Sequence, residues 1–164
     1  MRQVADLYWD PVRSGRLAIM ARPRSGEWLR DEISSWRDAG VTLVLSLLEH
    51  SEIRDLDLGA EASICADFGI DFLSYPIPDR GVPGSVAATA GLSKRLNEKL
   101  AHDATIAIHC RAGIGRSSLI AACVLSGQDV DHVRAFEIIG KARRVAVPDT
   151  SEQIEWVKAF SRHR

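Results

Sequence analysis

Residues Val41–Leu48 read Val-Thr-Leu-Val-Leu-Ser-Leu-Leu, a run rich in β-branched residues and almost unbroken in apolar character. A strand in which nearly every side chain seeks cover must be buried on both faces, which is the condition of a parallel sheet held between layers of helix. The rest of the chain fits that demand, because short apolar runs alternate with helix-like stretches nearly to the end.

Leu17–Met20 is a short strand candidate. Ser25 stands where an N-cap belongs, and Trp28, Leu29, Ile33 and Trp36 space out as one face of a helix closed by Gly40. After the Val41–Leu48 strand, Ser51 opens a polar, weakly periodic segment in which the charge run Glu52–Asp57 reads as a solvated face. A short helix is expected around Ala60–Phe68, stopped by Gly69. Ile70–Ile77 is the next strand, and its prolines push the chain into a loop over Pro78–Pro83.

Ser85 caps a long amphipathic helix reaching about Ala101, and Thr105–His109 is the last strand. Helices follow at Ser117–Ser126, Val130–Arg143 and Thr150–Ser161. The last is announced by Asp149 and Thr150, each with Glu or Gln three residues on. The expectation is an α/β fold: one domain over 1–164, with a mostly parallel central sheet flanked by helices. Trp36, Trp28 and Trp156 are expected in the core, and Trp9 is unplaced.

With 21 Lys and Arg against 22 Asp and Glu, the net charge of −1 argues against bulk attraction to nucleic acid. No apolar run is long enough for a membrane span and no secretory signal shows. The three cysteines, Cys65, Cys110 and Cys123, form neither a disulfide framework nor a metal-ligand spacing, so a reducing cytoplasm is the expected home. The five histidines are scattered, and neither a metal nor another cofactor is called for. Oligomeric state is not legible.

The chemistry concentrates in His109-Cys110-Arg111-Ala112-Gly113-Ile114-Gly115-Arg116-Ser117-Ser118, which runs from the end of a buried strand to the start of a helix, the place where open α/β sheets bind ligands. Gly113 and Gly115 permit a tight loop whose successive N–H groups form a nest for an anion. The helix N-terminus adds about half a unit of positive charge. Arg116 offers a planar fork for phosphate or sulfate oxygens. Cys110, at the lip of this positive cradle, is expected to ionise readily and act as the nucleophile. Asp79 lies 31 residues before Cys110 in Tyr75-Pro76-Ile77-Pro78-Asp79-Arg80-Gly81-Val82-Pro83. A phosphate ester leaves poorly as an alkoxide or phenoxide, so a carboxylic acid held opposite the nucleophile is what the reaction wants.

His-Cys-x-x-Gly-x-x-Arg-Ser resembles the signature loop of the cysteine-dependent protein tyrosine phosphatases, and the length and the upstream Asp loop are most similar to the dual-specificity branch. The resemblance implies a phosphocysteine mechanism on a phosphorylated protein or a small phosphate monoester. Cys110 attacks phosphorus, and Arg116 with the amides of Arg111, Ala112, Gly113, Ile114 and Gly115 holds the oxygens. Ser117 reaches back to the sulfur and helps the thiolate leave. His109 orients the loop and supports the thiolate from behind. Ile77, Asp79 and Pro83 match the family's general-acid loop, with Asp71 the fallback acid. Pro148 followed by Gln153 resembles the segment that positions hydrolytic water.

Three other readings are weaker. A sulfurtransferase of the rhodanese type has no use for Asp79. Low-molecular-weight tyrosine phosphatases and related arsenate reductases carry their motifs in the reverse order, and a phosphate-binding module without turnover would lack one of the three key groups. A phosphoinositide or other polyphosphate substrate is the stronger rival. It needs extra cations, for which Arg111 and Arg80 are candidates; Arg143 and Arg144 are further ones that can approach, although such a pair at a helix C-terminus usually complements the dipole.

Overall fold

A computed structural model describes residues 7–9 and 15–163. Those residues build a five-stranded sheet from β1 (Leu7–Trp9), β2 (Arg16–Met20), β3 (Leu43–Ser46), β4 (Asp71–Ser74) and β5 (Thr105–His109), in the order β1-β2-β5-β3-β4. Only the edge pair β1–β2 is antiparallel; β2, β5, β3 and β4 run parallel, with Ile106 opposite both Leu17 and Leu43. Trp9, unplaced by sequence, thus lies on the antiparallel edge strand.

The helices are α1 (Leu29–Asp38), α2 (His50–Asp55), α3 (Glu61–Asp67), α4 (Val86–Ala101), α5 (Arg116–Ser126), α6 (His132–Arg143) and α7 (Ser151–Arg162). Strand alternation sorts the core into two layers. On one face Leu17, Ile19, Leu43, Leu45, Ile106 and Ile108 pack with α4, α5, α6 and α7. On the other, Ala18, Met20, Val44 and Ala107 pack with Leu29, Ile33 and Trp36 of α1 and Cys65 of α3. Every residue of β3 and β5 is buried, as the apolar run of the central strand required, and so is every residue of α5.

Two caps behave as their sequences imply. Ser85 Oγ accepts from the Ala88 amide, and Thr150 with Gln153 forms a reciprocal capping box at α7. Three expectations need correction. Ser25 makes no side-chain cap, because a 3₁₀ turn over Gly26–Trp28 intervenes before α1. Trp28 on that turn is 49% exposed with the Arg24 guanidinium stacked over its ring, so it is not core. The weakly periodic segment opened by Ser51 is helical: it is α2, started by a capping box between Glu49 and Glu52. Glu52 is only 8% exposed, so the charge run Glu52–Asp57 is not a solvated face throughout. Among the described residues no helix is long and apolar enough to cross a membrane.

Candidate active site

β5 ends between β2 and β3, with His109 in register with Met20 and Ser46. Successive side chains at a strand end point to opposite faces. Cys110 accordingly joins the α5 layer, while His109 turns to the α1–α3 layer, its ring 6.4 Å from that of Trp36. His109 is fully buried, with Nε2 2.6 Å from Glu61 Oε2 and Nδ1 3.3 Å from the Cys110 carbonyl oxygen. It reaches the loop through the backbone and not through the sulfur.

The loop after Cys110 turns back on itself into α5. The Gly113 amide donates to Cys110 Sγ at 3.3 Å, which places the sulfur on the floor of the nest. The two glycines are there for different reasons. Gly113 has φ +72°, and a Cβ on it would run into the backbone of Met20 and Ala21. Gly115 has an ordinary φ of −83°, but a Cβ there would meet the Asp149 carboxylate and the Gln153 amide. Its smallness makes room for the start of α7. Cys110 is 3% exposed, so its sulfur lies at the bottom of the cradle.

Arg116, the first residue of α5, is 2% exposed and its guanidinium is held on several sides. Nη1 donates to Glu52 Oε2 (2.8 Å) and to the Ile77 carbonyl (2.9 Å), and Nη2 donates to Glu52 Oε1 (2.9 Å) and Asp79 Oδ1 (3.1 Å). Burial pushes the Glu52 carboxyl up, but the bond from Arg116, the Glu49 amide and the charges of Arg116 and Arg111 together hold it below its usual value. Burial likewise opposes the Arg116 charge, yet the bond to Glu52 and the charges of Cys110, Glu52 and Asp79 hold its proton more tightly than usual.

Asp79 sits in a turn closed by the Gly81 amide donating to the Pro78 carbonyl at 2.8 Å, with Arg80 at φ +58°. Its side chain is 53% exposed and reaches over the cradle to Arg116. Gln153 is fully buried and holds this turn: Nε2 donates to the Gly81 carbonyl at 3.0 Å, while Oε1 accepts from the amides of Asp149 and Thr150. Its amide thus tethers the Gly81 turn to α7. Asp71, the fallback acid, begins β4, whose other end leads to the site, so it stands roughly 10 Å of strand from the useful end. Ser117 is also fully buried, but its hydroxyl has no hydrogen-bond partner among the described residues and does not engage the sulfur.

Sequence reasoning missed Glu52 and Glu61, and weighed Arg143 only as a further cation near the cradle. Glu52 was hidden in a charge run and Glu61 in the first turn of a short helix. Arg143 instead donates from Nε to the Gly113 carbonyl (3.1 Å) and from Nη2 to the Ala112 carbonyl (3.2 Å). The Glu49–Glu52 capping pattern is a local signal for α2, but nothing local ties Glu52 to a residue 64 positions away. Among the described residues no group of three or more His, Cys, Asp and Glu side chains is placed to hold a metal ion.

A parallel α/β sheet with a cysteine on the floor of an amide nest and a buried arginine at its rim defines a phosphate-loop protein of the cysteine-dependent type. The family model described as a DSP-PTPase phosphatase of the polymorphic toxin system matches residues 18–128. The chain belongs to this dual-specificity family of cysteine-dependent protein tyrosine phosphatases. It is 40% identical over 134 residues to a cyclin-dependent kinase inhibitor 3 from Sus scrofa, covering 80% of this chain and 63% of the relative. It is 30% identical over 111 residues to a protein tyrosine phosphatase PRL-1 from Leishmania major, covering 62% of each. The chain thus spans somewhat under two thirds of the length of these relatives. Among solved structures, a kinase associated phosphatase whose catalytic cysteine is replaced by serine superposes with a TM-score of 0.86 at 19% identity, covering 99% of this chain and 97% of the other. Tk-PTP in its active form superposes with a TM-score of 0.78 at 25% identity over the whole of both chains.

Proposed function

We propose that this protein hydrolyses phosphate monoesters through a phosphocysteine intermediate, acting on phosphotyrosine, with phosphoserine and phosphothreonine as further substrates, in proteins. The observation that carries the reading is the Gly113 amide pointed at Cys110 Sγ inside a loop rimmed by Arg116. Bound phosphate takes the loop amides and the Arg116 donors not held by Glu52, displacing the Asp79 carboxylate from Nη2. Asp79, released from Arg116, takes up a proton from solvent; the Cys110 sulfur attacks phosphorus, the ester P–O bond breaks, and Asp79 gives that proton to the leaving oxygen. Water then attacks phosphorus and loses a proton to Asp79. The S–P bond breaks, with the unpartnered Ser117 hydroxyl turning to the departing thiolate, and inorganic phosphate leaves. A protein substrate agrees with the PRL-1 relative, named a protein tyrosine phosphatase. The three unpaired cysteines suit a reducing cytoplasm.

A second reading, a phosphoinositide, is favoured by Arg111, which is half exposed beside the cradle and 4.0 Å from Glu52. A structural neighbour of the same fold is PTPMT1 in complex with PI(5)P. The test is Cys110→Ser, assayed on a phosphotyrosine peptide and on phosphoinositides. Turnover is expected to vanish on whichever substrate the wild type prefers, while oxyanion binding persists, because a hydroxyl does not ionise as a thiol does. Activity in that variant within tenfold of wild type would overturn the mechanism.

A further inference from the structure

The phosphate-loop carbonyls are held from outside by an orderly set of donors. The Cys110 carbonyl lies against His109 Nδ1, the Arg111 carbonyl accepts from the Arg22 amide at 3.1 Å, and the Ala112 and Gly113 carbonyls accept from Arg143. A trans peptide is planar, with its C=O and N–H pointing in opposite directions. Whatever fixes a carbonyl outward therefore fixes the next residue's N–H inward. The Ala112–Gly113 peptide shows the coupling directly, since its oxygen takes Arg143 Nη2 while its N–H faces Cys110 Sγ at 3.3 Å. The next peptide, with its oxygen on Arg143 Nε, turns the Ile114 N–H the same way.

We propose that Arg143 is a positioning residue for this reaction: its guanidinium fork clamps two consecutive peptide planes so that the Gly113 and Ile114 amides stay aimed at the sulfur and at the oxyanion. The inference rests on the phosphocysteine reading, and it gives the α6 C-terminus a role other than complementing its dipole. Arg suits the task because two donors on one rigid plane grip two carbonyls in a fixed relation, which the single ammonium of Lys does not reproduce. A cationic donor also polarises each peptide, strengthening the amide on its other side. Arg143 acts through the backbone.

The experiment compares wild type, Arg143→Ala, Arg143→Lys and Arg144→Ala for vanadate and inorganic phosphate affinity by calorimetry, and for kcat and KM on an aryl phosphate. Arg143→Ala is expected to weaken vanadate about tenfold and to lower kcat by a similar factor, below the ~10²–10³ lost when a direct oxyanion donor is deleted. Phosphate affinity and KM should move less, because the amides are needed most where charge is greatest. Arg143→Lys should fall between the two, and Arg144→Ala, which removes an equal charge one residue along, should match wild type. Vanadate affinity within twofold of wild type in Arg143→Ala overturns the inference, as does an equal loss in Arg144→Ala. Should Arg143→Ala not fold, wild-type vanadate affinity in Arg143→Lys overturns it. Vanadate binding needs no turnover, so a wild type that binds it through Arg143 yet hydrolyses nothing sinks the functional reading and leaves the positioning role standing.

Discussion

Glu52 and Arg116 meet through two short hydrogen bonds of 2.8 and 2.9 Å, although 64 residues separate them. Both are buried, and the pair sets the guanidinium plane at the rim of the phosphate loop. Fork-to-fork geometry of this kind is charge-assisted and directional. It leaves the Asp79-facing edge of Arg116 as the part that can turn to substrate.

Removing one partner of a buried ion pair strands the other. Glu52→Gln is expected to cost about 3 kcal/mol of stability at neutral pH and to loosen Arg116, lowering kcat/KM at least tenfold. The folded-state pKa of Glu52 lies below its ordinary 4.5, so its contribution is present above that value and is lost as pH falls through the lower, folded pKa. Chemical denaturation across pH 3 to 7 checks this (roughly the range over which an Asp or Glu carboxylate titrates): the variant should show a shallower acid loss than wild type. An equally steep loss in both would show that Glu52 does not carry the acid sensitivity.

Asp79→Asn should slow hydrolysis of a phosphotyrosine peptide by about 10²–10³, the usual worth of a general acid. On a fluorinated aryl phosphate, whose leaving oxygen needs little help from a proton, the loss should be much smaller. Equal factors on both substrates would make Asp79 a turn residue and nothing more.

Gln153→Ala cuts the tie between α7 and the Gly81 carbonyl and leaves the Asp149 and Thr150 amides without their side-chain acceptor. Losing this capping box should cost about 1 kcal/mol, read as a lower melting temperature. The freed acid turn should lower kcat on the peptide substrate more than on the fluorinated one, the same pattern as Asp79→Asn in weaker form. A uniform loss would place the effect in α7 and not in the turn.

Peroxide should inactivate the enzyme reversibly at Cys110 without an intramolecular disulfide. Cys65 packs on the opposite face of the sheet, where burial and the Glu61 charge push its thiol up to about 12. Burial pushes the Cys123 thiol up as well, in the middle of α5. Peptide mapping after mild oxidation is the measurement, and a Cys110–Cys65 or Cys110–Cys123 bridge in the folded protein would contradict this placement.

The legible parts of this molecule are those in which the signal is local. β5, Gly113, Arg116 and the start of α5 lie within a dozen residues, so their strand, loop and helix chemistry could be read in order. The Thr150–Gln153 capping box likewise closes within one turn. Trp28 was misjudged because helical periodicity continues across a 3₁₀ turn that shifts its face to solvent. Gln153 was legible through its local cap, whereas its bond to the Gly81 carbonyl, 72 positions away, was not.

The residue types at the reacting centre, and the parallel sheet that a doubly buried strand demands, were determined by the amino-acid sequence alone. Which charges stand behind that centre was decided only by the tertiary structure. Glu52, Glu61 and Arg143 read as ordinary helix charges, since a charge on a short helix is solvated unless something distant covers it. Packing α2 and α3 against the loop removes that water from Glu52 and Glu61, and the end of α6 brings a half-buried Arg143 to the loop carbonyls. A buried ion persists only with a partner, so Glu52 stands against Arg116 and Glu61 against His109, while the half-buried Arg143 donates to the loop carbonyls.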